Sequence, residues 1–176
     1  MADILDQIAA YKRVDVAVHS LKDLPTVPVP GLTLAAVPVR GPNGDAFVSL
    51  KYKTFDEMPQ GAVVGTSSLR RKAQLLNRRK DLHIVELRGN VETRLRKLKE
   101  QNLDAIALAQ AGLLRLGLGD AICEILDPTW MLPAVGQGAI GLECREDDHE
   151  TRHFVEAVTD PATWSAVLAE RAMLFA

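Results

Sequence analysis

The sequence predicts an α/β protein built from two lobes. Short apolar runs, such as residues 14–18, alternate with segments whose apolar side chains recur at helical spacing. Two stretches that contain Pro and Gly, residues 38–44 and 132–139, interrupt this alternation and are predicted to be crossovers between the lobes. The helix-then-strand pattern of residues 3–18 returns at residues 91–109, which indicates the same βα construction in both lobes.

Each further element follows from the same periodicity, taken in chain order. Apolar runs predict strands at residues 14–18, 32–37, 46–50, 62–64, 83–87, 103–109 and 140–144. Amphipathic spacing or a capping residue predicts helices at residues 3–13, after Ser67 or Ser68, through Val91 to Leu98, after Asp148 and after Pro161.

Composition and charge are those of a soluble globular protein. The 176 residues are 47% hydrophobic, 25% charged and 5% aromatic, and the formal net charge is -2. Because nucleic-acid-binding proteins are more often basic overall, we expect no nucleic-acid partner. No apolar run reaches the length of a membrane span and the N-terminus has no signal-peptide pattern, so we expect a cytoplasmic protein that binds no membrane. Cys123 and Cys144 have no partners at metal-ligand spacing and are predicted to be buried reduced thiols.

Residues 65–71, Gly-Thr-Ser-Ser-Leu-Arg-Arg, form the stretch around which the other candidate residues are arranged. The apolar run before it and the helical spacing after it predict strand, turn and helix, with Ser67 or Ser68 as the N-cap. A helix N-terminus carries partial positive charge, yet its first turn here contains Arg70 and Arg71. Two guanidinium groups are unfavourable there unless an anion is present, so the stretch predicts an anion-binding site. A solvated basic surface turn is the alternative interpretation.

Other polar side chains follow other predicted strands. His19, Lys22 and Asp23 come after the first strand, where ligands bind in open α/β sheets, although His19 and Asp23 taken singly are better explained as structural residues. Taken together, the polar residues predict a ligand with several carboxylates or phosphates and a reacting centre that becomes cationic, which Asp23 would stabilise. The arginines of this predicted site are Arg70, Arg71, Arg88, Arg94 and Arg115.

Residues 149–153, His-Glu-Thr-Arg-His, match the H-E-x-x-H pattern of zinc peptidases. They begin a strongly charged helix beside Asp147 and Asp148, and no apolar cleft or clear third ligand follows. A surface helix explains the pattern better, so we predict no metal site.

Seven segments, in the family's order, resemble porphobilinogen deaminase, also called hydroxymethylbilane synthase. The longest are DVAVHSLKDLP at residues 15–25, GTSSLRR at residues 65–71 and LRGNVETR at residues 87–94. Several segments are long enough to be highly specific, and together they run over nearly the whole chain. The shorter segments are residues 45–47, 133–138, 143–145 and 170–173.

The resemblance implies a transferase of tetrapyrrole (heme) biosynthesis that joins four porphobilinogens, with loss of ammonia, on a covalently attached dipyrromethane primer. It implies that Asp23 is the catalytic carboxylate, which contacts pyrrole N–H groups and promotes deamination and carbon–carbon coupling. The implied partners are porphobilinogen and the growing oligopyrrole, and no metal is required. Substrate-binding positions implied in this way are Arg88, Arg94 and Arg115. Cofactor-binding positions implied in this way are Ser20, Lys22, Thr66, Ser67, Ser68, Arg70, Arg71, Arg88 and Gln137.

The fold implied by the resemblance has two lobes like those of type II periplasmic binding proteins, followed by a third α+β domain. The implied boundaries, in chain order, are residues 1–38 for part of domain 1, 39–43 for a hinge, 44–132 for domain 2, 133–138 for a second hinge, 139–158 for the return to domain 1 and 159–176 for the first helix of domain 3.

Two functional parts of the family have no counterpart in this sequence: the opening segment and the Gly-Gly-Cys region that carries the primer. Cys123 and Cys144 do not match that attachment cysteine. We therefore expect a monomeric chain, truncated at both ends, that keeps an anion site without turnover. A two-lobed carboxylate-binding module without catalysis is the alternative.

Overall fold

The structure, a computed structural model, describes residues 14–175, so the predicted helix at residues 3–13 lies outside the described residues. The strands are β1 Val16–Ser20, β2 Leu32–Ala36, β3 Asp45–Val48, β4 Val63–Gly65, β5 His83–Val85, β6 Ala105–Ala109, β7 Glu124–Ile125 and β8 Ile140–Arg145. The helices are α1 Leu69–Arg78, α2 Val91–Glu100, α3 Gln110–Arg115, α4 His149–Glu156 and α5 Pro161–Phe175. Every predicted strand is present, and its ends differ from the prediction by at most two residues. The short strand β7 was not predicted.

The described chain divides into two compact units, each with its own sheet. The first unit contains the described residues up to Gly41 and those from Val135 onward, and the second unit is Pro42–Ala134. Strands and helices alternate from β4 to β7 in the second unit, whereas the described part of the first unit has three strands, β1, β2 and β8, followed by α4 and α5. The prediction of a two-lobed α/β chain is confirmed, whereas the domain boundaries taken from the family remain predictions.

The sheet of the first unit has the strand order β1-β8-β2, and β8 is antiparallel to both neighbours. Ser20 at the end of β1 therefore pairs with Ile140 at the start of β8. The backbone N–H of Leu21 continues this pairing by donating to the carbonyl of Ala139 at 3.0 Å. The residues that follow β1 and those that precede β8 consequently lie at one edge of the sheet.

The sheet of the second unit has the order β5-β4-β6-β3-β7, in which β4 is parallel to β5 and β6 while β3 is antiparallel to β6. Apolar clusters flank this sheet: α1 contributes Leu75 to one, with Phe47 and Val64, and α2 contributes Leu98 to another, with Ile106. Burial of these side chains holds the N-termini of α1 and α2 at the edge where the parallel strands end.

Arg40 and Glu170 form a bidentate ion pair in the first unit. Nη1 donates to Oε1 at 2.5 Å and Nη2 donates to Oε2 at 3.0 Å. Arg40 Nε also donates to the carbonyl of Gln137 at 2.8 Å, and Glu170 accepts the N–H of Gly136 at 2.8 Å. Gly136 has φ +68, and a Cβ there would lie 3.2 Å from the backbone nitrogen of Lys22, so glycine is required. The pair thus connects the loop after β2, the loop before β8 and α5.

Helix α5 packs on the first unit. Val167 is completely buried and Trp164 is partly buried against the cluster that contains Leu21, Leu24 and Val37. Among the described residues, no helix combines the length and the apolar character that crossing a bilayer requires.

Stability should depend on pH through Glu170. Burial by itself raises the pKa of this carboxyl, but the hydrogen bonds of Arg40 and Gly136 and the charge of Arg40 outweigh burial and lower the pKa below its ordinary value of 4.5. Because the folded-state pKa is lowered, the stabilisation is present above the unfolded-state pKa and is lost as the pH falls through the folded-state value. We predict that the free energy of unfolding, measured by urea titration, falls less steeply with acid in Glu170→Gln than in wild type.

Glu86→Gln is the matched control, since it removes an exposed carboxylate paired with Arg88. Exposed pairs contribute about 0–1 kcal/mol, so this variant should keep the wild-type pH dependence. Identical acid slopes for Glu170→Gln and wild type would contradict the prediction.

Candidate functional site

The turn between β4 and α1 forms the predicted capped helix N-terminus. Ser68, one of the two predicted caps, is the N-cap, because its Oγ accepts the N–H of Arg71 at 3.3 Å. The N–H of Ser68 in turn donates to Thr66 Oγ1 at 3.2 Å. Gly65 ends β4 at a point where a Cβ would lie 2.9 Å from Leu103 Cδ1, so a larger residue would displace the core. The local prediction of strand, turn and helix is confirmed.

The anion that two arginines in this first turn require is supplied by the protein itself. Asp45, the first residue of β3, is completely buried. One carboxylate oxygen accepts the Nε–H and an Nη2–H of Arg71 at 2.9 and 2.7 Å, and the other accepts an Nη1–H of Arg70 at 2.7 Å. β6 lies between β3 and β4, antiparallel to β3 and parallel to β4. The start of β3 therefore lies at the same edge of the sheet as the end of β4. Strand order therefore places this carboxylate against the first turn of α1.

The three residues Asp45, Arg70 and Arg71, called the Asp45 triad below, stabilise one another's charged forms. Burial raises the pKa of Asp45, but the hydrogen bonds and charges of both arginines outweigh burial and lower it. Burial, with smaller effects from the charges of Arg70 and Arg94, lowers the pKa of Arg71, against the opposing effect of Asp45. A guanidinium group still remains protonated. Arg94 therefore belongs to the same group of charges, and the triad alone keeps a net positive charge.

Arg70 retains donors for a further acceptor. Its Nη1 serves both Asp45 and the carbonyl of Leu132, and it lies 3.8 Å from Met131 Sδ. Within residues 14–175, its Nε and Nη2 make no hydrogen bond, and the side chain is 24% exposed. Arg70 can consequently bind an external carboxylate while staying bound to Asp45.

Ser67 presents a polar atom that the described part of the protein leaves unsatisfied. Its Oγ is buried and has no hydrogen-bond partner among the described residues. Ser67 lines a cavity of ≈ 220 Å³ together with Thr66, Ser68, Lys72 and Glu86. Because buried hydroxyl groups are nearly always hydrogen-bonded, a ligand atom in this cavity is a reasonable partner for it.

The other predicted arginines of the second unit differ in their surroundings. The Arg88 side chain is 80% exposed and donates from Nε to Glu86 Oε1 at 2.5 Å. Arg94 is partly buried, and its Nε donates to the carbonyl of Gly89 at 2.7 Å. Arg115 is exposed in the last turn of α3. Of these three, Arg94 is the residue whose charge acts on the Asp45 triad.

The predicted residues of the first unit gather at the sheet edge where β1 ends. Ser20 ends β1, and Lys22 and Asp23 lie in the 3-10 turn directly after it, all three exposed. Gln137, completely buried, lies in the loop that precedes β8. The Asp23 carboxylate has no hydrogen bond or ion pair with any described residue, which leaves it available to a ligand. His19, by contrast, is bound to the buried Glu143 at 3.2 Å, which supports its structural interpretation.

The H-E-x-x-H segment lies on α4, where His149, Glu150 and His153 are exposed. Arg152 of the same segment pairs with Glu156 at 2.6 Å. Across residues 14–175, no group of three or more His, Cys, Asp or Glu side chains is arranged to hold a metal ion. The segment is a charged surface helix.

The prediction that both cysteines are buried is wrong for Cys123. Cys144 is completely buried in β8, but Cys123 is exposed, and its Sγ hydrogen-bonds to the backbone of Ser49. The physical reason is its place just before β7, which is the edge strand of its sheet among the described residues.

A larger, mostly apolar cavity of ≈ 560 Å³ lies in the first unit, beside β2 and α5. Its charged lining residues are Glu143 and Arg171, and it contains none of the predicted site residues. Cavity size therefore does not identify the candidate site. The site is identified by the donors of Arg70 and Ser67 that no described residue uses.

A sequence profile described as "Porphobilinogen deaminase, dipyromethane cofactor binding domain" matches residues 2–153. The chain belongs to the porphobilinogen deaminase family. The porphobilinogen deaminase of Syntrophotalea carbinolica is 55% identical over 161 residues, which are 92% of this chain and 51% of that protein. That of Shouchella clausii is 56% identical over 162 residues, which are 92% of this chain and 52% of that protein. The chain thus spans about half the length of the curated relatives it matches.

Solved structures with a similar fold include two ligand-binding proteins. A periplasmic substrate-binding protein of an ABC transporter from Coxiella burnetii has a TM-score of 0.56 at 18% identity, over 93% of this chain and 79% of that one. The methionine-binding protein MetQ has a TM-score of 0.54 at 17% identity, over 97% of this chain and 80% of that one. At these identities the likeness concerns the fold alone, and it confirms the predicted fold class of this porphobilinogen deaminase family member.

Sequence reasoning missed Asp45 as a member of the site. Its segment contributes to the family resemblance, but the sequence alone does not show which residues Asp45 contacts. The available signal was the pair of cations Arg70 and Arg71 at a helix N-terminus, which calls for an anion, together with an acidic residue that opens an apolar strand.

Two adjacent serines give a matched test of the turn geometry. We predict that Ser68→Ala lowers the free energy of unfolding by about 1 kcal/mol, because the N-cap hydrogen bond to Arg71 is lost. Ser67→Ala should change it by less than about 0.5 kcal/mol, because the Ser67 hydroxyl has no partner to lose among the described residues. Urea denaturation followed by circular dichroism measures both, and equal destabilisation would contradict the assigned cap.

Proposed function

We propose that this chain binds the carboxylates of the dipyrromethane cofactor and of porphobilinogen in a hydroxymethylbilane synthase, a transferase of tetrapyrrole biosynthesis. The observation that carries the proposal is the positive cluster at the N-terminus of α1, where Arg70 has two donor nitrogens, Nε and Nη2, that no described residue uses. Membership of the porphobilinogen deaminase family supports it. A cytoplasmic location and a monomeric state belong to the proposal and follow from the family resemblance.

The donor set of this chain suits a cofactor that carries acetate and propionate groups. Such a ligand needs several cationic or hydroxyl donors, and Arg70, Arg94 and Ser67 each offer donors that no described residue uses. When bound, the cofactor supplies the terminal pyrrole carbon to which the first substrate unit is joined. The residues proposed to hold it are Ser20, Lys22, Thr66, Ser67, Ser68, Arg70, Arg71, Arg88 and Gln137.

Arg88, Arg94 and Arg115 are proposed to hold the carboxylates of porphobilinogen and of the growing oligopyrrole. Carboxylates bound at the periphery orient the substrate, because charge-assisted hydrogen bonds to guanidinium groups are directional as well as strong. Orientation of the reacting carbon is a large part of what an enzyme contributes to a coupling reaction.

Asp23 is proposed as the catalytic carboxylate. Loss of ammonia from porphobilinogen creates positive charge on the substrate, and an adjacent carboxylate stabilises that charge as it develops. The Asp23 side chain is exposed and has no partner among the described residues, so it is free to accept pyrrole N–H groups. No displacement of an internal ion pair is needed.

Two arginines of α2 give a matched test of carboxylate binding. We predict that Arg94→Gln raises the Kd for porphobilinogen at least about tenfold, because a charge-assisted hydrogen bond is lost. Arg96→Gln should leave the Kd within about twofold, since Arg96 is exposed and pairs with Glu100 on the same helix. Isothermal titration calorimetry measures both, and unchanged affinity in Arg94→Gln would contradict the proposed role of Arg94.

Asp23→Asn removes the charge at the proposed reacting end and keeps the shape of the side chain. In a full-length protein that contains this chain, we predict that hydroxymethylbilane formation falls by about two orders of magnitude or more, whereas porphobilinogen binding changes little. A chromatographic assay of the product measures turnover. Intact turnover in Asp23→Asn would favour the non-catalytic carboxylate-binding module.

A further inference from the structure

We infer that Asp45 is a positioning residue: it holds the guanidinium of Arg70 in one orientation, so that Nε and Nη2 are presented to a carboxylate of the bound ligand. This inference deepens the proposed function and rests on it where ligand affinity is concerned. Asp45 itself is completely buried and does not need to touch the ligand.

The first step of the argument is the geometry of the shared carboxylate. Asp45 Oδ1 takes two donors from Arg71, and Oδ2 takes one donor from Arg70. The Arg71 side chain is only 4% exposed, so it anchors Asp45 from inside the protein. A carboxylate fixed in this way leaves the neighbouring Arg70 few orientations.

A second contact restricts Arg70 from the other side. Its Nη1 also donates to the carbonyl of Leu132, and Gln74 of α1 holds that backbone segment through Oε1, which accepts the N–H of Leu132 at 2.8 Å, and Nε2, which donates to its carbonyl at 3.1 Å. The same Arg70 nitrogen is thereby bound by two acceptors on different elements. A guanidinium group is planar, so fixing one nitrogen between two acceptors also directs its remaining donors.

Charge is the third step. If internal carboxylates neutralised both arginines, the site would no longer attract an external anion. Here a single carboxylate charge, that of Asp45, faces the two guanidinium charges of Arg70 and Arg71. Arg94 adds further positive charge close enough to lower the pKa of Arg71. The site consequently remains attractive to carboxylates after Asp45 has fixed its geometry.

Asp81 offers a matched control for the loss of Asp45. Asp81 also accepts two donors from a single arginine of this unit, Arg79, which follows α1 at its opposite end. Asp81→Asn and Asp45→Asn therefore make the same change of charge and each leave an arginine near α1 without its carboxylate. Only Asp45→Asn should release Arg70.

The test is a double-mutant cycle on the affinity for porphobilinogen, measured by calorimetry on variants shown by circular dichroism to be folded. We expect Asp45→Asn and Arg70→Lys each to raise the Kd about tenfold, and the double variant to raise it about tenfold rather than a hundredfold, because Asp45 acts through Arg70. Asp81→Asn should leave the Kd unchanged. Additive effects, or an unchanged Kd in Asp45→Asn, would overturn the inference.

A second measurement needs no ligand and remains decisive if Asp45→Asn binds or folds poorly. Asp45→Glu keeps the buried charge but moves it by one methylene. NMR measures the solvent exchange of the guanidinium protons of Arg70. This exchange should become about tenfold faster in Asp45→Asn and in Asp45→Glu, but not in Asp81→Asn. Unchanged exchange would overturn the positioning role. Absence of porphobilinogen binding in the wild type, with these exchange effects present, would instead count against the proposed function alone.

Discussion

A buried carboxylate between two guanidinium groups is the interaction on which the candidate site depends. Asp45 is completely buried, and burying an ionised carboxylate is unfavourable unless opposite charge and hydrogen bonds accompany it. Arg70 and Arg71 supply both. Removing either the carboxylate or the guanidinium groups would leave the remaining charge buried without a partner. These ion pairs therefore bind the start of β3 to the first turn of α1, in addition to apolar packing.

The two units of the chain contribute different chemistry to the proposed reaction. The second unit concentrates arginines, some of which have donors that no described residue uses, and this suits the binding of carboxylates. The first unit presents the carboxylate of Asp23, which has no partner among the described residues, in a short turn at the end of β1. Holding a polyanion and stabilising a developing cation require charges of opposite sign, which the arginines of the second unit and Asp23 of the first unit would supply in the proposed reaction.

Local chemistry made much of this structure predictable from the sequence. A serine cap at position 67 or 68, the helix after it and every described strand except β7 follow from residue type and periodicity within short windows. The partner of Arg70 and Arg71 could not be found in this way, because it depends on β3 lying antiparallel beside β6, which periodicity does not specify. The ion pair of Arg40 and Glu170 could not be predicted either, because these residues are 130 positions apart and only the folded chain brings them together. Exposure of Cys123 depends on which strand lies at the sheet edge, and that too is a property of the whole fold.

A crystal structure of the protein with porphobilinogen bound would test the central claim most directly. The account predicts a ligand carboxylate oxygen within about 2.7–3.2 Å of Arg70 Nε or Nη2, with Asp45 still bound to Arg70 and Arg71. A ligand bound with no carboxylate on Arg70, or one that displaces Asp45 from the arginines, would contradict it.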